Sequence, residues 1–392
     1  MSIDITASDF LKQATRTAEY FGFQNIEQYR RSPVCKNCTV ALTHTASAAE
    51  RKLDALHGML TGGISSYTDA KLNAVEGPVL FYTIEQVPRT GELALSLQVF
   101  NVEKSIAEAL LIQTTRAIAG DLGFQNPTVR INSIGDADSI SRYTRELTNF
   151  LRKRLADIPP AARELMKEHV THALLHLIEK EHDLAHRSPN PLEYLSDASR
   201  KHFREIVEFL DMSEMAYEID PKLIGHLNCY SDALFAVDIP TRETETGPSL
   251  YIRGGRYNTF MQRHIKSTVP AAGAVVVLKG KKLPRRTPRI PASPAPSVYV
   301  VQLGFGPKVR SLMLIDMLRG AQIPVFQNLA SDSLSAQLRD AEARNVKYTV
   351  IIGQKEYVDK TVILRDMMGR NQEHIPLSTL VARLKRVQAV GA

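Results

Sequence analysis

"TVRINSIGDADSISRYTRELTNFLRK", Thr128–Lys153, packs two kinds of secondary structure into one short stretch. Its first eight residues read as a strand that stops at Gly135. "DADSISRYTRELTNFLRKRLAD" then reads as a helix, with Asp136 or Asp138 placed to cap its free N–H groups. Upstream, "GPVLFYTIEQV" (77–87) and "ELALSLQVFNVE" (92–103) predict two strands joined by the turn-forming "PRTG". A helix over "SIAEALLIQTTRAIAGDLG", stopping at Gly123, separates them from Thr128. Nearer the start, "DFLKQATRTAEYFG" is an amphipathic helix capped by Ser8 and ended by Gly22.

Downstream, Pro159 and Pro160 interrupt the chain, and "AARELMKEHVTHALLHLIEKEHDLAHR" (161–187) reads as one long helical segment. "SDASRKHFREIVEFLDMS" opens another capped helix. Strands return at "ALFAVDI", "SLYIRG" and "GAVVVLKG". An antiparallel sheet with helices inserted between its strands points to an α+β core, not a doubly wound one. "KKLPRRTPRIPASPAPS" (281–297) holds five prolines in seventeen residues and reads as a stiff linker. Beyond it, short buried strands ("VYVVQL", "IPVFQ", "YTVIIG", "TVILRDM") alternate with helices, the pattern of a small α/β unit with a largely parallel sheet.

The 392 residues are enough for two or three domains, and 44% hydrophobic with 23% charged residues is ordinary for a globular chain. No apolar run nears membrane-spanning length and the N-terminus lacks an export pattern, so no membrane partner is expected. Three cysteines cannot build a disulfide framework, and the expected setting is a reducing cytoplasm. Cys35 and Cys38 form a CxxC without a second ligand pair, read as chance or structural thiols. The net charge of +7 is localised: Thr246–Ile315 carries twelve Lys and Arg and no acidic residue, leaving −5 for the rest. Such clustering is the electrostatic footprint of a polyanionic partner.

Arg130–Lys153 of the Thr128–Lys153 stretch, "YLSDASRKHFREIVEFLDMSEMAYEIDPKL" (194–223) and "RGGRYN" (253–258) resemble the core of bacterial histidyl-tRNA synthetases. "VIIGQKEYVDKTVILRDM" (350–367) is similar to the anticodon-binding domain of the same class II enzymes. The likeness runs in order from about Thr15 to Leu384. It implies a class II synthetase-like antiparallel core over residues 1–283 with a helical insertion at about 147–190. A Pro/Arg-rich linker over 284–297 and an anticodon-binding-like α/β domain over 298–392 complete the expectation. Homodimerisation, or pairing with a synthetase-like partner, is also implied, although the proline of the family's first class motif is not recognisable.

The resemblance sets requirements on the site as well. The arginine of the second class motif that clamps the ATP α-phosphate falls at Arg89, but the following glutamate is missing from "TG" and the loop is short. The family glutamine that helps bind the amino acid aligns with Val99. Glu103 and Glu108 match retained glutamates, for which structural roles serve equally well. The glutamate that holds the histidine ammonium group is replaced by Thr45, with Ser47 close by as a remnant of that pocket. In "GHLNCYSDALF" (225–235), Gly225 stands for the active-site arginine, Asn228 for the aspartate and Cys229 for the first tyrosine, while Tyr230 keeps the second. The glutamate–arginine pair that ends the third class motif, whose arginine meets ATP, falls at Lys279 and Gly280, with Lys281 one residue on as the ATP-site remnant. Each missing preorganised charge costs roughly 100- to 1,000-fold in rate. The expectation is a degenerate aminoacylation site, with ATP and Mg2+ as cofactors only if a divergent histidine–tRNA ligase survives. A regulatory subunit of the kind partnering ATP phosphoribosyltransferase is the other alternative, although such subunits usually lack the anticodon domain.

RNA is the expected partner, tRNA above all, with Lys279, Lys281, Lys282, Arg285, Arg286, Arg289, Lys308 and Arg310 as candidate phosphate contacts. The last two lie in "QLGFGPKVR" (302–310), a strand-to-helix turn too unlike the nucleotide-binding motifs to read as one. His169, His172, His176, His182 and His186 crowd the inserted helical segment. Two i, i+4 pairs rarely close a metal site alone, and no metal is expected.

Overall fold

The computed structural model describes residues 5–28, 55–75, 77–87, 90–225, 230–240, 249–265, 268–284, 295–329 and 331–390. An eight-stranded sheet forms the core, in the order β1-β2-β3-β8-β7-β6-β4-β5. Its strands are β1 (Gln24–Asn25), β2 (Val79–Gln86), β3 (Glu92–Phe100), β4 (Thr128–Gly135), β5 (Tyr217–Ile219), β6 (Ser231–Asp238), β7 (Leu250–Arg256) and β8 (Ala271–Lys282). The inner pairings are antiparallel, and only the short edge strands β1 and β5 add in parallel. This is the α+β core that the interrupted strands predict.

Alternation along β3 separates the two faces, because successive side chains point to opposite sides. Leu93, Leu95, Leu97 and Val99 join the core beneath α1 (Ala7–Tyr20), α3 (Ile106–Asp121) and α8 (Asp197–Met212). Ala94 and Phe100 belong to a second core on the opposite face, with α2 (Ala55–Asp69), α4 (Ala137–Arg152) and the inserted helices. Caps come from local side chains: Asp136 accepts from Ser139 N at the start of α4, and Ser196 accepts from Ser199 N at the start of α8. Thr6, rather than Ser8, caps α1. Gly135 has φ +73°, and a Cβ there would lie 2.4 Å from that of Ser139, so the stop after β4 requires glycine for both conformation and space.

The segment read as one long helix is three: α5 (Pro160–Glu168), α6 (Val170–Glu179) and α7 (Asp183–His186). His169 turns extended (φ −161°, ψ 136°), ends α5, and accepts from Thr171 N to cap α6. His182 caps α7 in the same way. His172 is buried in α6, and His186 Nδ1 lies 2.7 Å from Lys222 Nζ. The crowding of histidines therefore has work in capping and packing.

After the linker, β9 (Val298–Gln302), β10 (Val325–Gln327), β11 (Tyr348–Ile352), β12 (Thr361–Asp366) and β13 (Gln372–Pro376) form a second sheet ordered β10-β9-β11-β12-β13. Its first two pairings are parallel and its last two antiparallel, so it is mixed, not largely parallel as the sequence suggests. Helix α10 (Phe305–Gly320) packs this unit onto α1 and α3, and its apolar residues continue the core beneath the large sheet. Polar contacts flank that seam. Arg319 pairs with Asp121, which also accepts from Thr17 Oγ1 at 2.5 Å. Asp332 takes Lys104 at 2.6 Å and Lys308 at 2.7 Å.

Candidate functional site

The face of the large sheet away from α1 and α3 is where the sequence places the amino-acid and ATP contacts. Two registers, β2 on β3 and β3 on β8, bring Thr83 and Glu85, Ser96 and Gln98, and Gly273 onto it. Val99 points the other way, into the helix-covered core, 1% exposed. The residue with glutamine chemistry on the site face is its neighbour Gln98, a position the spacing argument missed by one residue and that strand parity would have caught.

Gln98 is not free to meet a ligand. Its Oε1 accepts from Tyr257 Oη at 2.5 Å and its Nε2 donates to Ser96 Oγ at 2.8 Å. Helix α2 presses on it: a Cβ at Gly63 would fall 2.7 Å from the Gln98 carboxamide, and one at Gly273 on β8 would fall 2.5 Å from Oε1. Gln98 and Tyr257 are 1% and 0% exposed. Tyr67 of α2 packs tilted on Phe100, centroids 4.4 Å apart, and Phe100 packs in turn on Phe81 and Tyr257. This part of the face is filled protein interior.

The space over Gly225 is filled in the same fashion. A Cβ on Gly225 would stand 2.3 Å from Tyr230 Cδ2 and 2.5 Å from Leu234 Cδ2, while one on Gly255 would reach the other side of the Tyr230 ring at 3.2 Å. Tyr230 lies between these two glycines, 2% exposed. The absent arginine is thus more than a lost charge: any side chain at Gly225 would have to displace the Tyr230 ring and Leu234. Tyr230, expected as a remnant of the amino-acid pocket, is a core residue here.

Glu85 also lies on this face, with its carboxylate 3.3 Å from where a Gly62 Cβ would be. Burial under α2 pushes its carboxyl up to about 7, and the hydrogen bond from Thr83 opposes this only in part. Behind the sheet, Glu108 receives Arg256 Nε at 2.7 Å and Nη2 at 2.8 Å, and lies 2.9 Å from His202 Nε2. Burial alone would raise the Glu108 carboxyl, but the Arg256 and His202 charges hold it down at about 2. Burial raises the nearby Asp232, and Glu108 raises His202 against its own burial. Arg256 spends its remaining donors on the carbonyls of Val102 and Lys104. Glu108 therefore ties β7 to α3, with both oxygens engaged by side chains and none turned to the site face.

The basic segment shrinks when its residues are placed. Arg256 is internal. Lys308, a candidate RNA contact, is 3% exposed and paired with Asp332, because α10 turns it toward the seam, so it cannot reach a phosphate. Lys279 reaches Glu92 at 3.3 Å and lies 5.2 Å from the Tyr251 ring centroid, with Arg253 at 4.8 Å on the same ring. Lys281 and Lys282 end β8, Lys282 exposed. Arg310 is half-buried, 5.4 Å from the Tyr357 ring centroid. Arg89, Ser47, Thr45, Asn228, Cys229, Arg285, Arg286, Arg289 and the Cys35/Cys38 pair lie outside the described residues. With both oxygens taken, Glu108 is a poor fit for Mg2+, and among the described residues no three His, Cys, Asp or Glu side chains cluster as a metal site. Nor does any described helix have the length and apolarity to cross a membrane.

Residues 297–387 match the anticodon binding domain family. The chain is 23% identical over 315 residues to histidine–tRNA ligase of Latilactobacillus sakei, an alignment covering 80% of this chain and 73% of the relative. With the enzyme of Thermosynechococcus vestitus it shares 26% over 307 residues, 78% and 71% of the two chains. Apo histidyl-tRNA synthetase of S. aureus superposes with a TM-score of 0.52 at 16% identity, over 95% of this chain and 94% of that one. The chain is a class II, histidyl-tRNA synthetase-like protein with an anticodon-binding domain at its C-terminal end.

Proposed function

We propose that this protein keeps the tRNA-binding role of its relatives and has lost the activation of histidine. The observation that carries this reading is the closure at Gly225, where the Tyr230 ring and Leu234 occupy the space an arginine would need. The locked Gln98–Tyr257 pair supports it from the neighbouring strands. Binding an amino acid there would require uncovering buried aromatic groups, each worth about 1.5–3 kcal/mol of burial. For tRNA, the support is the anticodon-binding domain, together with the cations at the end of β8 and in the segment that follows.

Two measurements on the purified protein test the two halves. Histidine-dependent exchange of pyrophosphate into ATP is expected to be absent, and total tRNA is expected to bind with a strong salt dependence. Robust exchange would replace this reading with that of a divergent histidine–tRNA ligase. Absence of salt-sensitive tRNA binding would remove the RNA half and leave only the fold.

A further inference from the structure

A cleft of about 100 Å³ lies between the core and the C-terminal domain, behind the large sheet and away from the face just described. Phe21, Leu80, Val99, Val102, Ile106 and Leu110 make its apolar wall. The C-terminal domain supplies the polar wall from β10 and from α11 (Leu334–Ala343) with the residue after it, Arg344. Pockets at domain seams with an apolar body and few polar groups are the usual form of a small-molecule site.

The polar groups have unspent capacity of opposite sign. Arg344 sits over Phe326, its guanidinium carbon 3.4 Å from the ring centroid, and gives only Nε to Asp340 Oδ1, at 2.9 Å. Its two Nη groups have no partner among the described residues, leaving a bidentate edge suited to a carboxylate. Asp340 also accepts from Tyr299 Oη at 2.8 Å and retains lone pairs. Gln327 lines the cleft at 6% exposure, and its Oε1 has no hydrogen-bond partner. A buried carbonyl left without a donor is costly, and a ligand N–H would satisfy it.

We propose that this cleft binds a free α-amino acid with an apolar side chain: the carboxylate on Arg344, the ammonium group on Gln327 and Asp340, the side chain on the Phe21–Leu110 wall. One cation, one anion and one unpaired carbonyl around an apolar cavity complement a zwitterion carrying a hydrocarbon group. The volume suits a branched aliphatic chain, since an engineered cavity of roughly 150 Å³ holds benzene. Because the wall comes from both domains, the ligand bridges them and stabilises their association by mass action.

The test is calorimetric titration of the full chain with L-leucine, L-isoleucine, L-valine and L-phenylalanine, alongside L-leucinamide and D-leucine. At least one of the four is expected to bind saturably in the millimolar range or tighter and to raise the melting temperature. The amide and Arg344→Gln should each weaken that binding by roughly tenfold or more, through loss of the charge-assisted pair. Arg344 is partly exposed, so its replacement leaves the fold intact. Ala107→Leu, which narrows the cleft, should weaken binding as well. The proposal is overturned if none of the four binds, if leucinamide binds as well as leucine, or if Arg344→Gln binds like the parent.

Discussion

Glu85 offers a test of how tightly α2 covers the sheet. With its carboxyl pushed up to about 7 from an ordinary value near 4.5, the folded protein holds a proton there that the unfolded chain releases. The stability linked to that proton is fully present below about pH 4.5 and is lost as pH rises through 7. The shift corresponds to about 3 kcal/mol, taken as an upper bound because solvent touches part of the Glu85 side chain and α2 can relax at Gly62. Glu85→Gln replaces the protonated acid with a neutral isostere. It should match the parent near pH 5 and exceed it near pH 8.5, by about 1–3 kcal/mol. Urea denaturation of both proteins at the two pH values measures this, since other titrating groups cancel in the comparison. Hydrogen exchange of the α2 amides would localise the gain. An identical difference at both pH values would refute the reasoning, as would a variant less stable at pH 8.5.

Other outcomes follow from the same contacts. Gly225→Ala should destabilise by about 1–3 kcal/mol in thermal denaturation, because its Cβ overlaps the Tyr230 ring, and Gly225→Arg should not restore pyrophosphate exchange. Arg256→Met strands Glu108 and should cost about 3–5 kcal/mol, much of it recovered when Glu108→Leu is added, as read by denaturant titration of the single and double variants. Replacing Arg285, Arg286 and Arg289 by glutamine should lower the salt slope of tRNA binding by about two, whereas Lys308→Gln should lower the melting temperature and leave that slope unchanged. Sedimentation at micromolar concentration should give a dimer, as the synthetase-like core implies.

The parts of the fold legible in the sequence are those that local chemistry decides. Asp136 and Ser196 cap their helices through side chains three residues from the amides they serve, so the strand–cap–helix stretch at Thr128 could be read directly. The break at His169 escaped because histidine is an uncommon cap and its neighbours keep helical periodicity. Gln98 and Val99 differ only in which way the strand faces, which a motif count does not record. Lys308 shows the limit of counting charge, since a lysine drawn into a seam by Asp332 contributes nothing to the outer field. The missing arginine at Gly225 was visible by alignment, but the ring that closes its place comes from a residue five positions on, and only packing reveals it.

The seam between the two halves changes what the protein can do with a long partner. Asp121 holds Thr17 and Arg319, Asp332 holds Lys104 and Lys308, and an apolar core runs beneath both. Were a tRNA to contact both halves, as proposed above, these joints would act like the set screw of a caliper, holding the two surfaces at one spacing to which the RNA must conform. It also means the anticodon-binding unit, cut out alone, would carry into water the apolar face of α10 that α1 and α3 now cover.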